Sequence, residues 1–301
     1  MALRIALSSA APAVFASRGQ ARSEMAGSAP AQRQRAMRAT ARKRAAAAAT
    51  NGAATGVDGF WLGHPLLECR SSGELARLLT DPVLRGRGVP HGDGRSVLLL
   101  PGFLVSDATL SLLARFLRRI GYRPVASGIR FNSGCGDSFD ERMVGVIDRE
   151  YSISGRRLAI VGHSRGGHYA RSLAARYPDR VSHIITMGTG LEDPLDVAML
   201  TKCGAALVRN ALAGCDPARS ERGCLTLQCT CAYGVGFAAP FPGDVRFTSI
   251  YSRNDGVVRW QSCIADYAVC VEVRGSHIGL AFNRHAYRAV AEALAVPATD
   301  E

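Results

Sequence analysis

The first part of the sequence has almost no acidic residues and few large apolar side chains. Residues 1–57 contain nine Lys or Arg residues but one acid, Glu24, so most of the net charge of +12 lies there. Such a segment cannot bury enough surface to offset the entropy of ordering its chain. We therefore predict a disordered leader over residues 1–57 and a folded domain over residues 58–301.

The leader is rich in Arg and Ser, a composition typical of an organellar transit peptide. Two alternatives stay open: an extension without function, and a secretory signal around residues 5–15, whose apolar stretch is interrupted by Ser8, Ser9 and Pro12. The sequence leaves the compartment open between an organelle, the soluble interior of the cell and secretion.

Three further absences exclude classes of protein. No window holds 18 consecutive apolar residues, so we predict no membrane-spanning helix. The chain has no basic stripe with interleaved aromatic residues, which argues against nucleic-acid binding. Cys224, Cys229 and Cys231 lack paired C-x2-C spacing and an interspersed His, so we predict no metal. Disulfides or buried thiols are the expected states of the nine cysteines.

From residue 96 onward, apolar runs alternate with helical patterns. Strands are predicted within residues 96–106, 122–129, 157–164, 181–190, 245–256 and 269–277, with helices over 107–120, 139–151, 167–177 and 283–294. This alternation is typical of an α/β fold with a mostly parallel central sheet flanked by helices.

Residues 191–242 interrupt the rhythm of strands and helices. They contain one helical pattern, a Cys-rich part and the aromatic residues Tyr233, Phe237 and Phe241. We interpret this segment as an insertion at the carboxyl edge of the sheet, where open parallel sheets bind ligands. Two interpretations stay open: a lid over an acyl chain, or a helix that packs on the core.

The segment Gly162-His163-Ser164-Arg165-Gly166 fits the pattern G-x-S-x-G and lies between a buried strand and a helix. A serine in so sharp a corner needs Gly162 and Gly166, because β-carbons there would keep the strand and helix apart. The pattern predicts a nucleophilic serine. The alternative is a turn in which Ser164 only caps the helix.

A serine nucleophile requires a base and an acid that orients the base. His277 follows the last predicted strand and Asp255 follows the strand before it, which gives the chain order Ser, Asp, His expected for this arrangement. Asp193 and Asp196 stay open as alternative acids. For His163 we expect a packing role beneath the turn.

The oxyanion donors are predicted from position alone. They are the backbone N–H of Arg165, directly after the serine, and that of Phe103, after the first core strand. The side chain of Arg165 is open to three interpretations: a contact with a carboxylate or phosphate of the substrate, a solvated surface charge, or an ion-pair partner.

The motifs "LLLPGF", "GHSRGG", "SRNDGVV" and "GSHIGL" together resemble the α/β-hydrolase superfamily, lipase and esterase type, over roughly residues 96–294. The resemblance implies Ser164 as nucleophile, Asp255 as acid and His277 as base. The chain departs from many such lipases in having Pro101-Gly102-Phe103 where a His-Gly pair often precedes the oxyanion donor.

The expected function is hydrolysis of a carboxylic ester of a small molecule or lipid through an acyl-enzyme, without a metal or organic cofactor. Alternatives are a thioesterase, an acyltransferase, a cofactor-free haloperoxidase, or a binding protein that kept the fold and lost catalysis. Epoxide hydrolases and dehalogenases of this fold have an aspartate where Ser164 stands. The oligomeric state is not predicted.

Overall fold

The computed structural model describes residues 63–133, 136–191, 193, 196–204, 206, 207 and 231–298. The predicted leader, residues 1–57, lies outside the described residues, and its division from a domain over residues 58–301 stays a prediction. The Cys-rich part of the insertion also lies outside them.

The centre of the domain is a six-stranded parallel sheet with the order β2-β1-β3-β4-β5-β6. Its strands are β1 (Ser96–Leu100), β2 (Arg123–Ala126), β3 (Leu158–His163), β4 (Val181–Met187), β5 (Arg246–Tyr251) and β6 (Val269–Glu272). The predicted α/β class with a mostly parallel sheet is confirmed.

Helices cover both faces of this sheet. They are α1 (Pro65–Glu68), α2 (Ser71–Thr80), α3 (Ser111–Arg119), α4 (Asp137–Ser154), α5 (Arg165–Arg176), α6 (Ala232–Ala238) and α7 (Arg284–Ala295). Val97 and Leu99 of β1 pack in one core cluster with α2, α3 and α7. Leu98 and Leu100 point to the other face and pack with α4, α5 and α6. The continuous apolar run of β1 is therefore buried on both faces, as parallel strands require.

Short 3₁₀ turns complete the fold at Pro82–Arg85, Asp107–Leu110, Trp260–Cys263 and Ile278–Phe282. Helices α1 and α2 lie before the part of the sequence in which regular elements were predicted. Helix α2 packs against the C-terminal part of the domain, where it contacts both the Ile278–Phe282 turn and α7.

The order of the strands reverses beside β1. The chain runs from β1 outward to β2, then returns to β3 on the other side of β1 and continues to β6. The loops that leave β1 and β3 therefore flank the point at which such sheets usually bind their ligands. Phe103 and Ser164 lie in these two loops.

The part of the predicted insertion from residue 231 onward packs on the core, whereas Leu200 and Leu207 are 58% and 71% exposed. Tyr233 of α6 is buried, with its ring centroid 5.1 Å from that of Tyr169 in α5. Phe241 lies against Phe247, with 4.9 Å between the ring centroids. These contacts support the core-packing interpretation for the aromatic residues. Whether residues 191–242 also form a lid stays a prediction, since much of the segment lies outside the described residues.

Cys69 and Cys203 are exposed free thiols, so the expectation of disulfides or buried thiols is wrong for these two. Cys263 and Cys270 are free thiols as well, and the Sγ of Cys231 accepts a hydrogen bond from the Gly234 N–H at 3.4 Å. The other four cysteines, Cys135, Cys215, Cys224 and Cys229, lie outside the described residues. For the helices that the structure describes, none is both long and apolar enough to cross a bilayer.

Candidate active site

Ser164 occupies the corner between β3 and α5, which we call the nucleophile corner (residues 162–166). Its backbone has φ 52° and ψ −121°, a conformation that L-residues adopt only under strain. The surroundings hold it there: the Ser164 N–H donates to the Met187 carbonyl (2.8 Å), and the Thr189 hydroxyl donates to the Ser164 carbonyl (2.9 Å). The Ser164 side chain makes no capping hydrogen bond to α5, so the interpretation of a mere helix cap is wrong.

The two glycines of the corner are required by close backbone approaches. A β-carbon on Gly162 would lie 2.4 Å from the Gly166 carbonyl oxygen, and one on Gly166 would lie 2.1 Å from the Leu100 carbonyl oxygen. Neither neighbour is a side chain that could turn away. The corner therefore admits only glycine at these two positions.

His277 and Asp255 form a buried hydrogen-bonded pair. The Nδ1 of His277 lies 2.7 Å from the Oδ2 of Asp255. The other carboxylate oxygen, Oδ1, accepts hydrogen bonds from the N–H groups of Val257 (2.8 Å) and Val258 (2.7 Å). The acid thus has a fixed orientation, and Nε2 of His277 is the ring nitrogen left to exchange a proton with a substrate or nucleophile.

Of the two alternative acids, Asp196 pairs with another residue. Asp196 forms an ion pair with Arg259 at 3.1 Å, whereas Asp255 contacts the imidazole directly. Gly188, at the end of β4, provides space for the pair: a β-carbon there would lie 3.0 Å from both Asp255 Oδ2 and His277 Nδ1. The role of Gly188 was not predicted, although a glycine directly after a strand is a usable signal in the sequence.

The pKa of His277 reflects two opposing effects. Burial by itself lowers the pKa of the imidazole, but the negative charge and hydrogen bond of Asp255, with a further contribution from Glu68, outweigh it. The net result is a pKa above the ordinary value of 6.5.

His163 connects the nucleophile corner to His277. Its Nε2 lies 2.9 Å from the His277 carbonyl oxygen, and the two imidazole ring centroids are 5.1 Å apart. Burial, reinforced by the charge of His277, lowers the pKa of His163 to about 4. The ring is therefore neutral near pH 7, and its Nε2–H donates to the carbonyl. The expected packing role was incomplete, because this bond spans a sequence separation of 114 that no local pattern encodes.

The loop after β1 lies against Ser164. A β-carbon on Gly102 would be 3.4 Å from the Cβ of Ser164. The amide of Asn132 donates to the Pro101 carbonyl (2.9 Å), while the Leu104 N–H donates to the Asn132 carbonyl (2.9 Å). These bonds fix the loop on either side of Phe103, one of the two predicted oxyanion donors.

Arg165 begins α5, where the first N–H groups have no partner within the helix. Its side chain is only 8% exposed, with the guanidinium 5.6 Å from the ring centroid of Phe103 and 5.5 Å from that of Tyr169. Its Nη1 donates to the Asn132 carbonyl at 3.4 Å. The interpretation as a solvated surface charge is therefore wrong.

The described residues contain no cluster of three or more His, Cys, Asp or Glu side chains that could hold a metal ion. The expected independence from metals and cofactors stays a prediction.

Comparison with known proteins identifies the fold. A family model described as the alpha/beta hydrolase fold matches residues 100–203, which span the end of β1, the nucleophile corner and β4. This chain has the α/β-hydrolase fold. The resemblance drawn from the sequence motifs is thus confirmed at the level of the superfamily. A comparison with curated proteins found no match.

Several solved structures are similar to this chain at low sequence identity. A soluble variant of monoglyceride lipase from Saccharomyces cerevisiae is 14% identical, with a TM-score of 0.46 over 67% of this chain and 86% of that one. A putative non-heme bromoperoxidase from Mycobacterium tuberculosis is 15% identical, with a TM-score of 0.44 over 66% and 91%. An extracellular α/β-hydrolase from a Paenibacillus species is 16% identical, with a TM-score of 0.44 over 68% and 100%. Identities of 14–16% leave the substrate of this chain open.

Proposed function

We propose that this protein is a serine hydrolase that cleaves carboxylic esters, with Ser164 as nucleophile, His277 as base and Asp255 as the acid that orients the base. The observation that carries the proposal is the buried 2.7 Å contact between His277 and Asp255, whose second carboxylate oxygen is saturated by two backbone N–H groups. The pair follows β5 and β6, at the sheet edge where the strained Ser164 follows β3.

In the proposed reaction, Ser164 Oγ attacks the ester carbonyl while His277 Nε2 takes its proton. The N–H groups of Arg165 and Phe103 stabilise the oxyanion of the tetrahedral intermediate. When the intermediate collapses, the carbon–oxygen bond to the alcohol breaks and the imidazolium returns its proton to the departing alkoxide. Water, deprotonated by His277, then hydrolyses the acyl-enzyme and restores the serine.

Exposed apolar side chains beside these groups support an ester with an apolar acyl or alcohol part. Ile278, next to His277, is 48% exposed, and Phe131, next to the Asn132 that contacts Arg165, is 54% exposed. Large apolar side chains are costly to leave in water, and an apolar substrate would cover them.

Labelling with a fluorophosphonate probe tests the nucleophile and the base together. We expect the wild-type protein to be labelled at Ser164, with no labelling of Ser164→Ala and a loss of about 10⁶-fold in turnover for His277→Ala. Ser152→Ala and His285→Ala change exposed residues outside the site and serve as matched controls.

A series of p-nitrophenyl esters from two to sixteen carbons defines the substrate. Hydrolysis that increases with chain length and disappears in Ser164→Ala is the expected result. Folded wild-type protein that neither reacts with the probe nor hydrolyses any ester would contradict the proposal and favour a binding protein with this fold.

A further inference from the structure

The Glu68 carboxylate, at the end of α1, binds both loops that carry the His–Asp pair. Its Oε1 accepts hydrogen bonds from the N–H of His277 (2.9 Å) and the N–H of Gly256 (3.1 Å), the residue after Asp255. Its Oε2 accepts from the N–H of Ile278 (2.7 Å). One side chain therefore joins the backbone of the base to the backbone next to the acid.

The histidine loop (residues 274–279) presents a row of backbone N–H groups that need acceptors. They lie at the start of the Ile278–Phe282 3₁₀ turn, where N–H groups lack partners within the turn and favour negative charge. Glu68 satisfies those of His277 and Ile278, and Glu74 of α2 satisfies that of Ser276 at 2.8 Å. Two carboxylates from the N-terminal helices thus complete a loop about 200 residues away in sequence.

Gly256 makes this arrangement sterically possible. Its carbonyl accepts a hydrogen bond from the His64 N–H at 3.1 Å, so both of its peptide groups bind the N-terminal helix region. A β-carbon on Gly256 would lie 2.5 Å from the His64 carbonyl oxygen and 3.0 Å from Glu68 Oε1. Any other residue after Asp255 would push the Glu68 carboxylate away.

We propose that Glu68 is a positioning residue of the active site, which fixes the backbone of His277 relative to the Asp255 loop and so holds the imidazole where it can exchange a proton with Ser164. The inference rests on the proposed function. Glu68 acts through His277 and its neighbours, whereas Glu74 binds the same loop by way of Ser276 and Asn283. This difference makes Glu74 the matched control.

Two substitutions of Glu68 separate the effect of its hydrogen bonds from the effect of its charge. In Glu68→Gln the amide has one acceptor oxygen, and its NH2 group faces an N–H donor, so at least one of the three hydrogen bonds is lost together with the negative charge. In Glu68→Asp the charge remains, but the shorter side chain cannot reach both loops. Displacement of a reacting group by about 1 Å costs on the order of 100-fold in rate.

We expect kcat for ester hydrolysis to fall about 10- to 100-fold in Glu68→Gln and in Glu68→Asp, with KM little changed. The groups that face His277 are Asp255, Glu68 and His163, and loss of the Glu68 charge lowers the pKa of the imidazole. The acid limb of the pH–rate profile should move to lower pH in Glu68→Gln and stay nearer the wild type in Glu68→Asp.

Titration of His277 followed by NMR in the full-length protein supplies a readout that needs no turnover. The pKa of His277 should fall in Glu68→Gln. Glu74→Gln should lower Tm without moving that pKa, and Glu272→Gln, which changes an exposed residue paired with Arg253, should alter neither activity nor titration.

Wild-type kcat and an unchanged His277 titration in folded Glu68→Gln would overturn the proposal. If Glu68→Gln does not fold, wild-type turnover in Glu68→Asp would overturn it. If the wild-type protein hydrolyses no ester, the proposed function fails, and an unchanged His277 pKa in Glu68→Gln would still refute the positioning role by itself.

Discussion

The nucleophile corner and the histidine loop are held in place by different physical means. In the corner, backbone atoms approach so closely that only glycine fits at positions 162 and 166, and the strained Ser164 is trapped between β3 and α5. In the histidine loop, the backbone N–H groups of residues 276–278 are satisfied by carboxylates of Glu68 and Glu74 from helices far away in sequence.

The difference affects what a mutation can do to each region. Crowding in the corner involves backbone atoms of the corner itself and of Leu100 in β1, so a change there disturbs the strands and the helix themselves. Hydrogen bonds between distant segments can be removed one at a time, with the rest of the fold in place. Mutations in the corner should therefore cost stability first, and mutations of Glu68 or Asp255, which hold His277, should cost catalysis first.

The largest effect is expected when His277 loses its acid partner, Asp255. Asp255→Asn keeps a group of the same size, but the amide presents an N–H to His277 Nδ1 and favours the wrong tautomer. We expect kcat to fall about 10⁴-fold with little loss of stability. Ester hydrolysis and fluorophosphonate labelling measure the loss, with Asp266→Asn at an exposed position as control. A loss of kcat of less than 10-fold would mean that Asp255 does not orient the base.

The corner is tested by Gly166→Ala, whose β-carbon would lie 2.1 Å from the Leu100 carbonyl oxygen. Since backbone must move to admit it, we expect a loss of about 3 kcal/mol in the free energy of unfolding. Gly145→Ala, in α4 with no atom within 4 Å of the added β-carbon, should instead stabilise the protein by about 0.5–1 kcal/mol. Urea denaturation measures both. Equal stability of the two variants would contradict a sterically trapped corner.

His163 connects the two regions, because it is the last residue of β3 and donates a hydrogen bond to the His277 carbonyl. His163→Phe keeps a ring in contact with His277 but removes the donor, at a net cost of about 1 kcal/mol. We expect labelling of Ser164 to slow about 10-fold as the His277 backbone loosens. His285→Phe, at an exposed position, is the control. An unchanged labelling rate would show that the His163–His277 bond only stabilises the fold.

The smallest expected effect is a shift of the pH–rate profile. Catalysis needs neutral His277, whose pKa lies above 6.5, so activity should be lost as pH falls through that raised pKa. His163, with a pKa of about 4, stays neutral over the same pH range, so its protonation should not contribute to the acid limb of the profile. The acid limb of kcat/KM should have a slope of one and move to lower pH in Asp255→Asn. A slope of two would mean that both histidines titrate together.

Much of the sheet could be predicted because its signals are local. The Val-Leu-Leu-Leu run of β1 packs in clusters on both faces, as a buried parallel strand must. The candidate site followed from the same logic, since parallel strands bring their carboxyl ends to one edge. Ser164, Asp255 and His277 all come directly after strands β3, β5 and β6 or within a few residues of their ends.

The supports of the site could not be predicted. Helix α1 is four residues long, too short for a periodic pattern, and the bonds of Glu68 reach residues 188 to 210 positions away. Because the carboxylate accepts from backbone N–H groups, its partners can carry any side chain and leave no trace in composition or spacing. The burial of Arg165 between Phe103 and Tyr169 was hidden for a related reason, since nothing near it in sequence marks either ring.

The amino-acid sequence alone determined the alternation of strands and helices, the glycine-flanked serine and the chain order of the three candidate residues, because periodicity and backbone sterics act between near neighbours. Only the tertiary structure decided which acid faces His277, that His163 donates to its backbone, and that Glu68 joins the two loops. Those contacts depend on where separate segments meet, which hydrophobic packing of the whole domain sets.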